Sequence, residues 1–145
     1  MEATGKNYGY IEWLSAEEMH EASLQWMSEL KFIRDEQRFL NDLVASYTPQ
    51  LADQKVFKES QEIIGAISKS EKEVIEFMKR VKSHLNLLEI MVNDVDELKM
   101  EKAYIETHWE LSSEIKKYSN EYRELKTALF HLVARVKKMN KRLLN

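Results

Sequence analysis

The chain has 145 residues, a formal net charge of −3 at pH 7, 43% hydrophobic and 32% charged residues, and no cysteine. This length allows one hydrophobic core, which predicts a single domain over residues 1–145. Without cysteine the chain has no disulfide, no thiolate metal site and no cysteine nucleophile, so we expect a cytoplasmic protein rather than a secreted disulfide scaffold.

Glycine and proline are scarce, with three and one in the whole chain. Because these residues usually mark turns and long loops, we expect few, long elements. No stretch approaches the roughly 20 consecutive apolar residues that cross a bilayer, so the chain is not expected to span a membrane. Its N-terminus also lacks the apolar run of a signal peptide.

Residues 1–14 show no helical period, although they hold two of the three glycines and several large apolar side chains. We interpret them as an N-terminal arm, with Tyr8, Tyr10 and Trp13 as candidate interaction residues. An arm this apolar is expected to cover an apolar surface of the same subunit or of a neighbour.

A first helix is predicted over residues 15–47. Ser15 and Glu18 have the spacing of a capping box, in which each side chain accepts a hydrogen bond from the other residue's backbone N–H. A residue before proline disfavours the α region, so Pro49 ends this helix. Two lines of seven-residue spacing mark the core face: Trp26, Ile33, Leu40, Tyr47 and Ser23, Leu30, Gln37, Val44.

A second helix is predicted over residues 51–92. Its apolar pattern passes Gly65 without a change of phase, and a break would normally reset the pattern, so we expect one continuous helix. Folding the helices about their turns places Gly65 at the height of Ile33 and Tyr122, which gives this glycine a packing role; a hinge is the alternative. The predicted core lines are Phe57, Ile64, Glu71, Met78, Leu85, Val92 and Ser60, Ile67, Val74, Val81, Leu88, Val95.

A third helix is predicted over residues 95–144 and carries the longest regular pattern of the chain. A seven-residue apolar repeat of this length is typical of left-handed coiled-coil packing. Three helices joined by short turns are antiparallel neighbours, so the predicted fold is an all-α, up-down-up bundle with an aromatic arm. The core lines are Tyr104, Leu111, Tyr118, Leu125, Leu132, Met139 and His108, Ile115, Tyr122, Leu129, Val136, Leu143.

One polar residue interrupts the core pattern of each helix: Gln37, Glu71 and His108. They are predicted at different heights, which disfavours one shared site. Isolated polar residues at core positions often fix the register and the oligomeric state. A role in ligand binding or proton transfer is an alternative, and a wrong phase of the pattern is another.

Signals for catalysis, cofactors and metals are weak. Glu17 and His20 form the only Glu-x-x-His pair, whereas di-iron bundles carry such a pair on each of two helices. The glycines are too scattered for a phosphate-binding loop, and no serine lies on a sharp turn beside a base. We therefore predict no enzymatic activity, no metal and no cofactor.

The end of the second helix is apolar nearly all round, at Leu87, Ile90 and Met91, and Trp109 of the third helix lies beside it. The first helix is predicted to start too late to cover this end. The arm or a second subunit is the expected cover, which makes these residues candidates for an interaction.

The segment after Glu124 is basic, and its lysines and arginines suit the negative C-terminal end of a helix dipole. Nucleic acid is a disfavoured partner, because the chain is acidic overall and lacks an aromatic ladder. The leading hypothesis is a non-enzymatic interaction or scaffold module that binds a protein partner or forms a homo-oligomer. The alternative is a bundle that holds a small ligand or metal in its core through Glu71, His108, Tyr118 and Tyr122.

Overall fold

The computed structural model describes residues 15–93 and 98–144, and the side chains of 15–91 and 102–139. Within these residues the chain is helical except at Ser15, at Tyr47 and in a turn over 52–56, and contains no strand. The helices are α1 (Ala16–Ser46), α2 (Thr48–Leu51), α3 (Phe57–Asn93) and α4 (Leu98–Leu144). The predicted all-α bundle is confirmed, whereas the predicted arm and the start of the third helix at residue 95 lie outside the described residues.

The start of α1 is fixed by the predicted capping box. The backbone N–H of Glu18 donates to Ser15 Oγ (3.1 Å), and the backbone N–H of Ser15 donates to Glu18 Oε1 (3.2 Å). Helix α1 ends before Tyr47, and Pro49 then lies in the first turn of the short helix α2. A proline is well tolerated there, because the first N–H groups of a helix have no partner within the helix.

The second long helix starts at Phe57, so the predicted start at Leu51 is wrong. Between them, the side chain of Asp53 accepts a hydrogen bond from the backbone N–H of Lys55 (2.9 Å). This local bond competes with helix formation and favours a turn. Val56 at the end of the turn is buried. Beyond Phe57, α3 continues without interruption past Gly65, and its predicted continuity is confirmed.

The core face of α3 differs from the prediction in one of its two lines. Ile67, Val74, Val81 and Leu88 are buried as predicted. The second buried line consists of Val56, Ile63, Ser70 and His84, whereas Phe57 and Ile64 are exposed and Glu71 is half-buried. Apolar residues flank the first line on both sides, so the sequence pattern alone allowed either choice. The position of the neighbouring helices decides between them.

The chain divides into two compact units, each built from segments of the same three long helices. The first unit contains α1 up to Lys31, α3 from Glu76 and α4 up to Lys117; the second contains the segments from Phe32 to Ile75 and from Tyr118 onward. In the first unit, Met19 at the start of α1 packs against Leu88 near the end of α3. These two helices are therefore antiparallel.

The expectation that Gly65 packs against Tyr122 is wrong. Gly65 is exposed, and a Cβ at this position would have no heavy atom within 4 Å. Because α3 begins six residues later than predicted, its pairing with the other helices shifts along the chain. Tyr122 instead donates its hydroxyl hydrogen to Glu36 Oε1 (2.8 Å).

Candidate functional site

The core of the first unit holds two imidazoles in contact with each other. His84 comes from α3 and His108 from α4, each is 3% exposed, and His84 Nε2 lies 2.9 Å from His108 Nδ1. Trp26 of α1 stacks on His108 with ring centroids 4.5 Å apart, and Trp109 contacts His108 edge-on at 6.1 Å. Each of the three long helices thus contributes an aromatic ring to this histidine cluster, which we define as Trp26, His84, His108 and Trp109.

The surroundings of the two rings determine which nitrogen carries hydrogen. His84 Nδ1 is buried and has no hydrogen-bond partner in the part of the chain that the structure describes. If Nδ1 carried the hydrogen, a buried N–H would remain unsatisfied, which costs more than an unsatisfied lone pair. We therefore assign the hydrogen of neutral His84 to Nε2, which donates to His108 Nδ1. His108 then carries its own hydrogen on Nε2.

Burial of the pair disfavours the charged form of both rings. Desolvation lowers the pKa of His84 below its ordinary value of 6.5. Desolvation, and secondarily the neighbouring His84, lower the pKa of His108 from 6.5 to about 4. Both histidines are therefore neutral at pH 7.

The ion pairs described in the first unit do not include the histidine cluster. Arg80 donates two hydrogen bonds to the carboxylate of Glu114, at 3.1 and 2.7 Å. His20 Nε2 lies 3.8 Å from Glu89 Oε1. Among the described side chains, no group of three or more histidine and acidic residues is placed to hold a metal ion.

The second unit contains a different polar network, formed by Gln37, Ser70 and Tyr118. The Tyr118 hydroxyl donates to the backbone carbonyl of Ser70 (2.8 Å) and lies 2.9 Å from Ser70 Oγ. Gln37 Nε2 lies 3.0 Å from Ser70 Oγ and 3.2 Å from the Tyr118 hydroxyl. One assignment satisfies all four contacts: Ser70 Oγ donates to Tyr118, and the two Gln37 amide hydrogens go one to each hydroxyl oxygen.

Glu71 does not belong to this buried network. It is half-buried at the edge of α3, and its carboxylate accepts a hydrogen bond from Asn41 Nδ2 (3.1 Å). The inward position is taken by Ser70, because the core line runs one residue earlier than predicted. The four residues proposed to hold a ligand together are also separated, since His108 belongs to the first unit and Glu71, Tyr118 and Tyr122 belong to the second.

The predicted interaction residues divide into three groups. Tyr8, Tyr10 and Trp13 lie outside the described residues. Leu87 and Ile90 are 40% and 61% exposed. Met91 and Trp109 are partly buried against a core cluster of Met19, Leu88 and Ile105. The first helix reaches this end further than predicted, because Met19 packs against Leu88 and Ile105 there, whereas Leu87 and Ile90 remain exposed.

Sequence reasoning missed an exposed aromatic surface on the second unit. Phe32 and Phe39 of α1 are 63% and 57% exposed, and Phe130 of α4 is 42% exposed. A helix turns by about 100° per residue, which places Phe32 and Phe39 on one stripe, almost opposite the buried Gln37. The seven-residue spacing of these two phenylalanines was visible in the sequence, but it lies outside the core lines.

Phe130 lies on the side of α4 that faces α1. Lys126, one helical turn before Phe130, donates hydrogen bonds to both oxygens of Glu36 on α1, at 3.0 and 3.3 Å. Residues four apart on a helix share a face. We define Phe32, Phe39 and Phe130 as the aromatic face.

Comparisons with protein families, with curated proteins and with solved structures find no match to this chain. No helix in the described part of the chain is both long and apolar enough to cross a membrane.

Proposed function

We propose that this chain is a non-enzymatic, cytoplasmic interaction module that self-associates through the aromatic face of its second unit. The observation that carries the proposal is the exposure of Phe32, Phe39 and Phe130 along adjoining sides of two helices. A single exposed apolar residue is ordinary on a protein surface, but a contiguous apolar patch marks an interaction site. Aromatic residues are also enriched at the centres of protein interfaces.

The charges beside the aromatic face favour a second copy of the chain as the occupant. On α1, Asp35 and Asp42 lie beyond the phenylalanines on the side away from α4, and both are exposed. On α4, Arg123 and Lys137 lie close to Phe130 and are also exposed. The two aspartates and the two basic residues therefore lie on opposite edges of the face, with Asp35 also paired with Arg34 (3.5 Å).

A two-fold axis along the groove between α1 and α4 would bring these edges together. The α1 stripe of one copy then meets the α4 stripe of the other, so acidic side chains face basic ones on both sides of the axis. Three half-exposed rings offer about 300 Å² of aromatic surface per copy, which serves as an apolar centre for a dimer interface but needs the charged rim to complete it.

The competing hypothesis of a ligand or metal in the core has less support. The polar groups that it requires are bonded to other protein groups: Tyr118 to Ser70 and Gln37, and Tyr122 to Glu36. The two remaining candidates are Glu71, which accepts a hydrogen bond from Asn41, and His108, which shares a hydrogen bond with His84. A bound ligand would have to displace these contacts.

The proposal is tested by measuring the mass in solution by sedimentation over a range of concentrations. We expect the wild-type chain to dimerise and a Phe32→Ser, Phe39→Ser double variant to remain monomeric. Ile90→Ser is the matched control, because it removes an equally exposed apolar side chain from the first unit, and it should leave the dimer intact. A wild-type chain that stays monomeric up to millimolar concentration contradicts self-association.

A charge exchange tests the occupant and its orientation. Reversing the acidic edge alone, with Asp35→Lys and Asp42→Lys, should weaken the dimer at low salt. Adding Arg123→Glu and Lys137→Glu should restore it, because the edges are again complementary. If the four-fold variant remains as weak as the acidic-edge variant, the proposed pairing of α1 with α4 is wrong.

A further inference from the structure

The histidine cluster has a property that the proposed self-association does not use: protonation of its imidazoles destabilises its own packing. Both imidazoles are buried and lie at the junction of α1, α3 and α4. A neutral pair shares one N–H and one lone pair in a single hydrogen bond. Any further proton must therefore go to a nitrogen that lacks an acceptor or to one that already accepts.

The first additional proton goes to the free lone pair, His84 Nδ1. It keeps the bond to His108 but creates a buried cation whose new N–H has no acceptor among the described residues. The second proton goes to His108 Nδ1, where it replaces the accepted hydrogen bond with two opposed N–H groups. Two buried cations then lie with ring centroids 5.1 Å apart.

Among the described residues, neither ring has a carboxylate as a hydrogen-bond partner. The charged groups on the surrounding helices are paired with one another or lie at the surface: His20, Glu21 and Glu29 on α1, Lys79, Arg80, Lys82 and Glu89 on α3, Lys102, Glu106, Glu110 and Glu114 on α4. Arg80 and Glu114 bind each other, and His20 lies beside Glu89. The face of Trp26 offers the only compensating contact in the cluster, as a cation–π interaction with protonated His108.

We propose that protonation of the His84–His108 pair in mild acid loosens the packing of α1, α3 and α4 in the first unit, while the second unit stays folded. The second unit lacks an equivalent trigger at its polar network, because neither the amide of Gln37 nor the hydroxyls of Ser70 and Tyr118 take up protons between pH 7 and 5.

Proton linkage determines whether acid strengthens or weakens the packing of the first unit. The pKa of each histidine is lower in the folded unit than in the opened one, so the opened form binds more protons below pH 6.5. Packing is therefore strongest above pH 6.5 and weakens as the pH falls towards 4. For His108 alone, the equilibrium constant for opening should rise about 20-fold between pH 7 and 5, and His84 adds to this.

Amide hydrogen exchange on the full-length chain tests the proposal, with rates corrected for the intrinsic pH dependence of exchange. Between pH 7 and 5, we expect opening around Val81 to Leu88 and around Ile105 to Leu111 to increase at least about 20-fold by the same linkage. Amides around Ile63 to Ser70 should change far less. A His84→Phe, His108→Phe variant should lose the difference, and a His20→Gln, His131→Gln variant should keep it.

Three results would overturn the proposal. The first is an equal increase in exchange in both units, and the second is a double phenylalanine variant whose response to acid equals that of the wild type. The third comes from the wild type alone and stays decisive if that variant does not fold: ring-proton NMR titrations in which His84 and His108 both titrate near pH 6.5, like an exposed histidine. We expect both to titrate below pH 6.5.

Discussion

The two units solve the same problem, a polar group in a helical core, in different ways. In the second unit, Gln37, Ser70 and Tyr118 satisfy one another through four contacts. In the first unit, His84 and His108 share one hydrogen bond and leave His84 Nδ1 without a partner. The hydrogen bonds of the second unit's network do not depend on pH near neutrality. The packing of the two histidines in the first unit, by contrast, requires both rings to be neutral.

The difference shows that burial alone does not decide what a core polar residue contributes. The polar residues at both places are almost completely excluded from solvent: Gln37, Ser70 and Tyr118 in one unit, His84 and His108 in the other. A hydrogen-bonded network fixes the register of the helices, because sliding one helix along another would leave several of its polar groups without partners. An unsaturated pair of titratable rings holds the same helices together but can be weakened by a change of solution conditions.

The largest expected effect is the response of the first unit to acid. The fall in the pKa of His108 from 6.5 to about 4 corresponds to a loss of about 3 kcal/mol in unfolding free energy on going from pH 7 to 4. Stacking on Trp26 reduces this loss. Urea unfolding of the wild type and of the His84→Phe, His108→Phe variant at both pH values measures it, since carboxylate contributions are common to both proteins. Equal pH dependence of the two proteins would contradict the assignment.

Tyr118→Phe should lower the unfolding free energy by about 2 kcal/mol, because it leaves Gln37 and the Ser70 carbonyl short of partners inside the second unit. The loss should be the same at pH 7 and pH 5. Tyr47→Phe is the matched control, since it removes a hydroxyl outside the network. A loss for Tyr118→Phe that grows at acidic pH would remove the distinction between the two clusters.

Ion pairs on the two units should differ in strength. Glu36 is only 21% exposed and binds both Lys126 and Tyr122, whereas Glu114 is 51% exposed and binds Arg80. We expect Glu36→Gln to cost about 1 kcal/mol and Glu114→Gln about 0.5 kcal/mol or less, with the Glu114 effect vanishing at high salt. Thermal unfolding at low and at high salt measures both. The reverse order would show that burial does not govern these pairs.

The smallest effect is a gain. Gly65→Ala should raise the unfolding free energy by about 0.5 to 1 kcal/mol, because alanine favours the helix and its Cβ meets no neighbour. Ala66→Gly, at the next exposed position, should lower it by a similar amount. If Gly65→Ala instead lowered the unfolding free energy, the glycine would have a contact or a conformational role that the packing of the second unit does not explain.

Much of the helical framework followed from local chemistry. Ser15 and Glu18 specify the start of α1 through bonds that they make with each other. The unbroken phase across Gly65 correctly predicted a continuous α3, and the seven-residue lines identified most of the buried residues of α1 and α4. These features depend on residues within a few turns of one another, so sequence patterns capture them.

The candidate sites were only half visible in the same patterns. Gln37 and His108 stood out as polar residues on apolar lines, but their partners Ser70 and His84 did not. Those two lie on the α3 line that the pattern assigned one residue too late. The levels at which helices meet were also shifted, because the turn at Asp53 delays the start of α3.

The sequence by itself determined which segments are helical and where each core stripe runs along α1 and α4, because capping and periodicity are local properties. Only the tertiary structure decided which side of α3 faces inward, which polar groups meet, and which phenylalanines remain exposed. The physical reason is that neighbouring positions of α3 suit the core equally well by sequence. Ile63 and Ile64 are both apolar, and the apolar residues around Ser70 and Glu71 allow either of those two positions to face inward. Their environment is set by neighbouring helices from distant parts of the chain, and a displacement of one residue changes every pairing across the bundle.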